Sequence, residues 1–276
     1  MKKRVLLGCL AALLAALPAG AAEFGGVREL YIYPAVQFFS WQEYGSGPRL
    51  LREQGPQFGV GAAVALDLLK TEQSGSFTFR GKGDFFGGVV EYNGQTFSND
   101  PAMDGRPVKT DVTYLGMNTQ VDIGWRFPVG KLSLEPFAGL GFSWWLRDLH
   151  DSTSTRSDNG NLFSVSAYTE FWTVFAGRFG GRLRVDLNDD WQIFCVGGAK
   201  FPFSVENTID VASIGDVTLK PKGEWSAFGE LGFRYRRFRP SVYYEGLRLA
   251  ASPAVYGYYQ PRSEADIVGL SFGILF

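Results

Sequence analysis

Between Tyr114 and Phe127 the sequence alternates, residue by residue, between two chemically different faces. Leu115, Met117, Thr119, Val121, Ile123, Trp125 and Phe127 point one way; Tyr114, Gly116, Asn118, Gln120, Asp122, Gly124 and Arg126 point the other. Period two is the signature of a β-strand, and these two faces ask for different surroundings at once. A soluble core does not require that split over such a length. The stretch predicts a wall with an apolar medium on one side and a polar interior on the other.

The alternation recurs along the chain. Leu30 to Glu43 reads as a first strand rich in aromatics, with its faces blurred by Pro34, and Glu43 to Gly55 as a loop. Phe58 to Leu68 alternates cleanly. Phe77 to Tyr92 is interrupted by Gly81, Gly83, Gly87 and Gly88, which predicts a bulge or a close strand contact. Further strands are expected at Leu132–Trp145, Tyr168–Val185, Gln192–Val205, Trp225–Arg236, Ser241–Leu249 and Asp266–Phe276. Pro136 lacks the N–H a ladder needs, so a local bulge is expected there. Glu206 to Lys222 reads as a polar connection with a partial strand extension at Val217-Thr218-Leu219.

The connections alternate in length: short around Thr71, Gly130, Asp189 and Phe238, long around Gly47, Asp104, Ser154, Ser213 and Tyr258. Trp41, Trp144, Trp145, Trp172 and Trp225 fall near the long loops, and Trp125 and Trp191 near the short turns, as two interfacial girdles would require. The fold class expected is all-β: a closed antiparallel transmembrane barrel of about ten strands, with eight strands and an external hairpin as the competitor.

Composition supports this reading. With 16% aromatic residues and 35 Gly among 276 residues, the chain suits a β-rich wall. After residue 22 no stretch approaches the roughly 18 apolar residues of a membrane helix, so a spanning chain must close into a barrel. Lys2, Lys3 and Arg4, the apolar run Val5 to Leu17 and the small residues Pro18 to Ala22 read as a signal peptide over 1–22, leaving 23–276 as the barrel. Leu6-Leu7-Gly8-Cys9 is similar to a lipoprotein box, but the apolar run continues past it and too few residues precede it. Cys195 is then the one mature cysteine, which leaves no intramolecular disulfide. Losing the three n-region cations takes the formal charge from −1 to −4, which offers no basic footprint for nucleic acid.

The last eleven residues, Asp266 to Phe276, place Val268, Leu270, Phe272, Ile274 and Phe276 on one face and end on an aromatic residue. This resembles the terminal strand of bacterial outer-membrane β-barrels of the porin-like or opacity type. The resemblance implies residence in the cell outer membrane among lipid and lipopolysaccharide, both termini periplasmic, and recognition of Phe272, Ile274 and Phe276 by the barrel assembly machinery.

If the apolar faces meet lipid, the opposite faces bring Asp67, Asp122, Arg126, Glu135, Glu170, Arg178, Arg182, Arg184, Lys200, Glu230, Arg234 and Arg236 into the lumen. Charges there must pair or stay hydrated. They read as a structural ion network or as the lining of a narrow pore for small solutes.

The single histidine, in Asp148-Leu149-His150-Asp151-Ser152, offers two enzyme readings. Asp148 and His150 resemble the Asp-x-His pair of omptin proteases, and His150 with Ser152 the His-x-Ser pair of lipid A deacylases; both chemistries need an imidazole base oriented by a carboxylate. Neither motif extends beyond the pentapeptide, so a solvated loop is the plainer reading. Exposed aromatics Phe97, Phe163, Tyr256, Tyr258 and Tyr259 offer surface adhesion or ligand capture as another alternative. No cofactor or metal site is expected. The leading expectation is a non-enzymatic structural or narrow-pore barrel.

Overall fold

The computed structural model describes residues 25–45, 47–71, 75–211 and 215–276. The signal peptide, the tip of the turn after Thr71 and the connection around Ser213 lie outside the described residues. Fourteen strands run in the order β1 (Gly26–Tyr44), β2 (Arg49–Thr71), β3 (Gly75–Gln95), β4 (Pro107–Val129), β5 (Leu132–Leu149), β6 (Ser152–Thr155), β7 (Leu162–Val165), β8 (Thr169–Asp186), β9 (Trp191–Val211), β10 (Gly215–Leu219), β11 (Lys222–Glu224), β12 (Ser226–Tyr235), β13 (Phe238–Ala250) and β14 (Arg262–Leu275).

Ten of them form a closed antiparallel ring, β1-β2-β3-β4-β5-β8-β9-β12-β13-β14, not eight. The seam is β14 on β1, paired from Tyr31↔Leu275 to Tyr44↔Arg262. Every edge is thereby used up, the condition for carrying backbone polar groups through hydrocarbon. The hairpin β6–β7 stands apart, β10 folds back on the far end of β9, and β11 prolongs the line of β12 along β13.

The wall sorts its residues by period two. Val36, Phe58, Phe85, Leu140, Phe179 and Leu270 are exposed outward, while Gln57, Asp122 and Glu135 on neighbouring positions are buried. This apolar belt fits lipid. Seven ring strands have 18–23 residues, more than the roughly 9–11 needed to cross a bilayer. The surplus lies on the long-loop rim, where the outward positions turn polar at Gln42, Arg52, Glu91, Asp111 and Asp148.

Several expectations are corrected. Glu43–Gly55 is not a long loop: β1 and β2 run on together to Tyr44 and from Arg49, and Gly45 N–H bonds Pro48 O at 3.0 Å between them. The polar composition that suggested a loop instead belongs to strands beyond the lipid belt. Most of 206–222 is likewise strand, in β9 and β10, and includes the expected extension at Val217-Thr218-Leu219.

Pro136 causes no bulge. Its register with both neighbours is unbroken, and the ladder to β4 simply skips two pairs between Gly124↔Phe137 and Phe127↔Leu134. Two glycines of β3 answer to close contact, not to bulging: a Cβ would sit 2.7 Å from Pro56 O at Gly88 and 3.1 Å from Tyr114 O at Gly87, whereas at Gly81 and Gly83 it would meet only ordinary contacts. The register shifts fall elsewhere, at Val27/Glu29, Glu43/Tyr44, Asp67/Leu69 and Phe175/Ala176.

Candidate functional site

Inward positions stack into three levels. The level nearest the short turns is an ion network. Arg182 reaches Glu135 at 2.7 Å and also pairs with Asp122, whose other oxygen lies 3.3 Å from Arg178 Nε. Asp67 receives Arg126 at 2.7 Å and Arg28 at 3.4 Å, and Arg28 also approaches Glu135 at 3.3 Å. Glu29 faces Arg80 at 3.3 Å and Arg184 at 3.9 Å, and Glu230 holds Arg239 at 2.8 Å. Three of these guanidinium groups lie over rings: Arg182 on Phe137, Arg239 on Phe194 and Arg178 on Phe228, at 3.8, 3.8 and 4.2 Å from the centroids. Planar cations suit this double duty, pairing at the edge and stacking on the face. Gly139 makes the room, since a Cβ there would collide with Asp122 and the Val121 carbonyl.

The level at the long-loop rim is a seal. Trp172 is fully buried and lies parallel to Trp145 at 5.4 Å, with Trp41 edge-on to both at 5.3 and 6.5 Å. The sequence reading counts these three tryptophans in an interfacial girdle near the long loops. They point inward instead, because their strands continue above the belt and their alternation puts odd positions of β1 and β5 inside. Trp191 and Trp225 do face outward.

Beside the indoles, Arg147 is 1% exposed and clamps two carboxylates: Nη1 donates to Glu170 at 2.6 Å, and Nε at 2.9 Å and Nη2 donate to Glu53. Trp172 and Trp41 donate their indole N–H to Glu170 and Glu43 at 2.7 and 2.9 Å. Gln260, from the loop after β13, reaches down to Glu43 Oε1 at 3.0 Å and accepts from Asn207 at 3.0 Å.

Between the two levels lies a chamber of about 150 Å³. Its walls carry Lys82, Lys200 and Arg178 toward one end and Gln57, Trp145, Phe39 and Phe86 toward the other. Lys200 pairs with Glu245 at 2.7 Å. Tyr243 donates to Gln37, and Gln37 to Gln57, at 2.8 and 2.7 Å. Gln57 ends this chain fully buried, with its Nε2 lacking an acceptor.

Of the residues singled out from sequence, the structure brings Asp67, Asp122, Arg126, Glu135, Arg178, Arg182, Arg184 and Glu230 into the lower level, Lys200 into the chamber and Glu170 into the seal. Arg234 points inward with a buried Nε that has no hydrogen-bond partner. Arg236 does not line the lumen: it sits in the β12–β13 turn at φ 53° and pairs with Asp190 at 3.3 Å on the surface. Phe272, Ile274 and Phe276 are all outward and exposed.

Asp148 and His150 occupy outward positions of β5 and just beyond. Asp148 accepts from Thr169 at 2.6 Å, His150 Nε2 bonds Thr113 Oγ1 at 2.9 Å, and Ser152 donates to the Lys109 carbonyl at 2.9 Å. Among the described residues, each of the three side chains thus bonds to a neighbouring strand or segment.

Sequence reasoning missed Arg28, Glu29, Arg80, Lys82, Arg147 and Glu53. The signal for the β3 pair was present as Arg80-x-Lys82-x-Asp84, charges at period two separated by glycines. The others stood outside the expected strand ends.

Above the seal, the loop 96–106 and the segment carrying β6 and β7 are tied together. Arg156 bridges Asp100 at 2.9 Å and Asp158 at 2.8 Å, Arg106 donates to Thr155 O at 2.7 Å, and Ser157 N–H to Ala102 O at 2.9 Å. The Ala102 backbone N–H and then Arg156 hold the Asp100 carboxyl below its usual range, and Arg156 does the same for Asp158. The loop after β13 ends in a tight turn, with Val255 and Tyr258 exchanging backbone bonds and Tyr256 at φ 51° and 83% exposed.

No protein-family model and no curated protein sequence matches the chain. Among solved structures, the outer membrane protease OmpT from Escherichia coli is similar with a TM-score of 0.60 at 12% identity, over 94% of this chain and 99% of that one. The translocator domain of autotransporter NalP from Neisseria meningitidis gives 0.45 at 14% identity, covering 98% and 95%. The transport unit of autotransporter AIDA-I from Escherichia coli gives 0.46 at 11%, covering 97% and 96%. At such identities the likeness is one of fold.

Proposed function

We propose that this protein, an integral ten-stranded β-barrel of the bacterial outer membrane, works as a narrow pore that rests occluded. The long-loop rim is then extracellular and the short-turn rim periplasmic. The observation that carries the reading is the chamber, lined by charged, polar and aromatic side chains, held between two layers of side chains. A lumen built only to be filled would close on itself. Here an open space is flanked by seals made of rotatable groups, which rearrange far faster than a strand. The ion network faces the periplasm, the Trp41, Trp145 and Trp172 layer faces outward, and the terminal strand serves assembly through Phe272, Ile274 and Phe276.

Planar-bilayer conductance of the refolded chain from residue 23 tests the reading, alongside the double variant Arg178→Ala, Arg182→Ala. Rare small openings in the parent, larger and more cation-selective in the variant, are expected. A barrel silent in both forms would leave a purely structural role.

A second reading has its own observation: the exposed Tyr256, Tyr258 and Tyr259 on a turn pinned to the mouth through Gln260. Rigid tyrosines on an anchored loop suit recognition of a surface partner. Replacing Tyr256 and Tyr258 by Ser affects that role and not conductance.

A further inference from the structure

We propose that the pocket at the short-turn end of the lumen binds a small tetrahedral dianion, inorganic phosphate or sulfate, through Arg28, Arg80 and Arg184. The site goes beyond the pore reading and stands whether or not the barrel conducts.

Arginine dominates this pocket. Arg28, Arg80, Arg126, Arg182, Arg184 and Arg239 enter it from β1, β3, β4, β8 and β13, and the carboxylates in its lining are Glu29 and Glu135. A bulge supplies one of the cations. Where the β1–β2 register shifts between Val27 and Glu29, Arg28 has no partner on β2, so Arg28 and Glu29 both turn inward while Val27 and Leu30 stay outside. Bulges re-aim side chains in this way.

Three of the six arginines are poorly matched. Arg126, Arg182 and Arg239 hold Asp67, Glu135 and Glu230 at 2.7, 2.7 and 2.8 Å. Arg28, Arg80 and Arg184 come no nearer than 3.3 Å to any carboxylate among the described residues. Arg28 approaches Asp67 and Glu135, which are already taken; Arg80 and Arg184 share Glu29, and Arg184 lies 3.5 Å from Asp186, nearly half exposed at the rim. The same three arginines each carry a buried Nε that meets no acceptor among the described residues. Water can satisfy those N–H groups but not the charge. Over the whole level seven paired arginines share six carboxylates, and Arg234, beside Gln192, adds an eighth cation. Uncompensated guanidinium charge in a confined site is costly, and two charges in excess suit a dianion. The pocket of about 30 Å³ admits a group of a few atoms and no organic ring, since one water needs roughly 10–15 Å³. A tetrahedral oxyanion offers several acceptor oxygens to guanidinium edges arriving from three strands, a match that a halide lacks.

The test is calorimetric titration of the refolded chain from residue 23 in nonionic detergent micelles with sodium phosphate at mildly alkaline pH. Ionic strength is held with sodium gluconate, whose anion is too large for the pocket, and sulfate, acetate and chloride serve as comparators. Saturable one-to-one binding of phosphate and sulfate is expected, with acetate and chloride at least about tenfold weaker. Arg28→Gln and Arg184→Gln should each weaken phosphate by at least about tenfold, the usual scale for a hydrogen bond to a charged group. Arg236→Gln removes a cation from the outer surface and should leave phosphate binding unchanged. Tryptophan fluorescence of each variant reports whether the indole layer, and so the fold, is retained; if Arg28→Gln does not fold, Arg184→Gln, at the rim, decides. Absence of phosphate saturation in the parent overturns the proposal. So does acetate or chloride binding equally well, unchanged phosphate affinity in a folded Arg184→Gln barrel, or an equal loss in Arg236→Gln.

Discussion

Replacing Arg147 with Met tests the outer seal directly. The guanidinium is 1% exposed and makes three hydrogen bonds to two buried carboxylates. Methionine fills much the same space along the stem but leaves Glu53 and Glu170 without a cation. Glu53 would keep the Tyr114 hydroxyl, and Glu170 the Trp172 indole and the Asn207 amide. Removing one partner of a buried ion pair costs about 3–5 kcal/mol, mostly because the charge left behind is uncompensated. The loss should appear as a lower urea midpoint in micelles and as a higher open probability in bilayers, since hydrated carboxylates would draw water between the indoles. Adding Glu53→Gln and Glu170→Gln removes the stranded charges and should recover most of both effects. If Arg147→Met leaves the urea midpoint and the closed state unchanged, the seal does not depend on this clamp and the account of it is wrong.

Other outcomes follow from the same geometry. Asp100 and Asp158 are held below the usual carboxylate range, so their tie to Arg156 is fully present above the ordinary Asp pKa of about 3.9 and is lost as pH falls through the depressed values. The protection of the Ser157 amide, its exchange measured against the intrinsic rate at each pH, should therefore stay constant from neutral to mildly acidic pH and fall only in strong acid, whereas Arg156→Ala should lower it at neutral pH. His150→Ala and Asp148→Ala should leave conductance and unfolding midpoint within error, because both residues face away from the lumen. Gly139→Ala should displace Asp122 from Arg182 and Arg178, lowering the unfolding midpoint and raising conductance together.

Much of the wall was legible in the sequence. Period two gave the inward and outward faces of the central strands, as at Asp122 against Val121, because lipid on one side and water on the other impose a strict chemical contrast. Where the strands leave the lipid, that contrast disappears. Arg52 and Gln54 are as polar as Glu53 between them, so the stretch read as a loop although it is strand. For the same reason Arg147, the centre of the seal, was overlooked, and Trp41, Trp145 and Trp172 were read as parts of an interfacial girdle, not as a plug across the lumen. Arg80, Lys82 and Asp84 went unread because the intervening glycines offered no apolar face to contrast with. Pairing partners such as Arg182 with Glu135, 47 residues apart, depend on register across strands, which one sequence does not state.

The bonds joining the loop 96–106 to the hairpin segment have a consequence for how the protein's outer surface changes over generations. Arg106 to Thr155, Arg156 to Asp100 and Ser157 to Ala102 make two stretches of chain into one body. Surface loops are ordinarily free to drift one at a time. Here a change in either partner disturbs the other, so the two stretches must vary in concert, and an antibody raised against this region would recognise a composite epitope that neither segment presents as an isolated peptide.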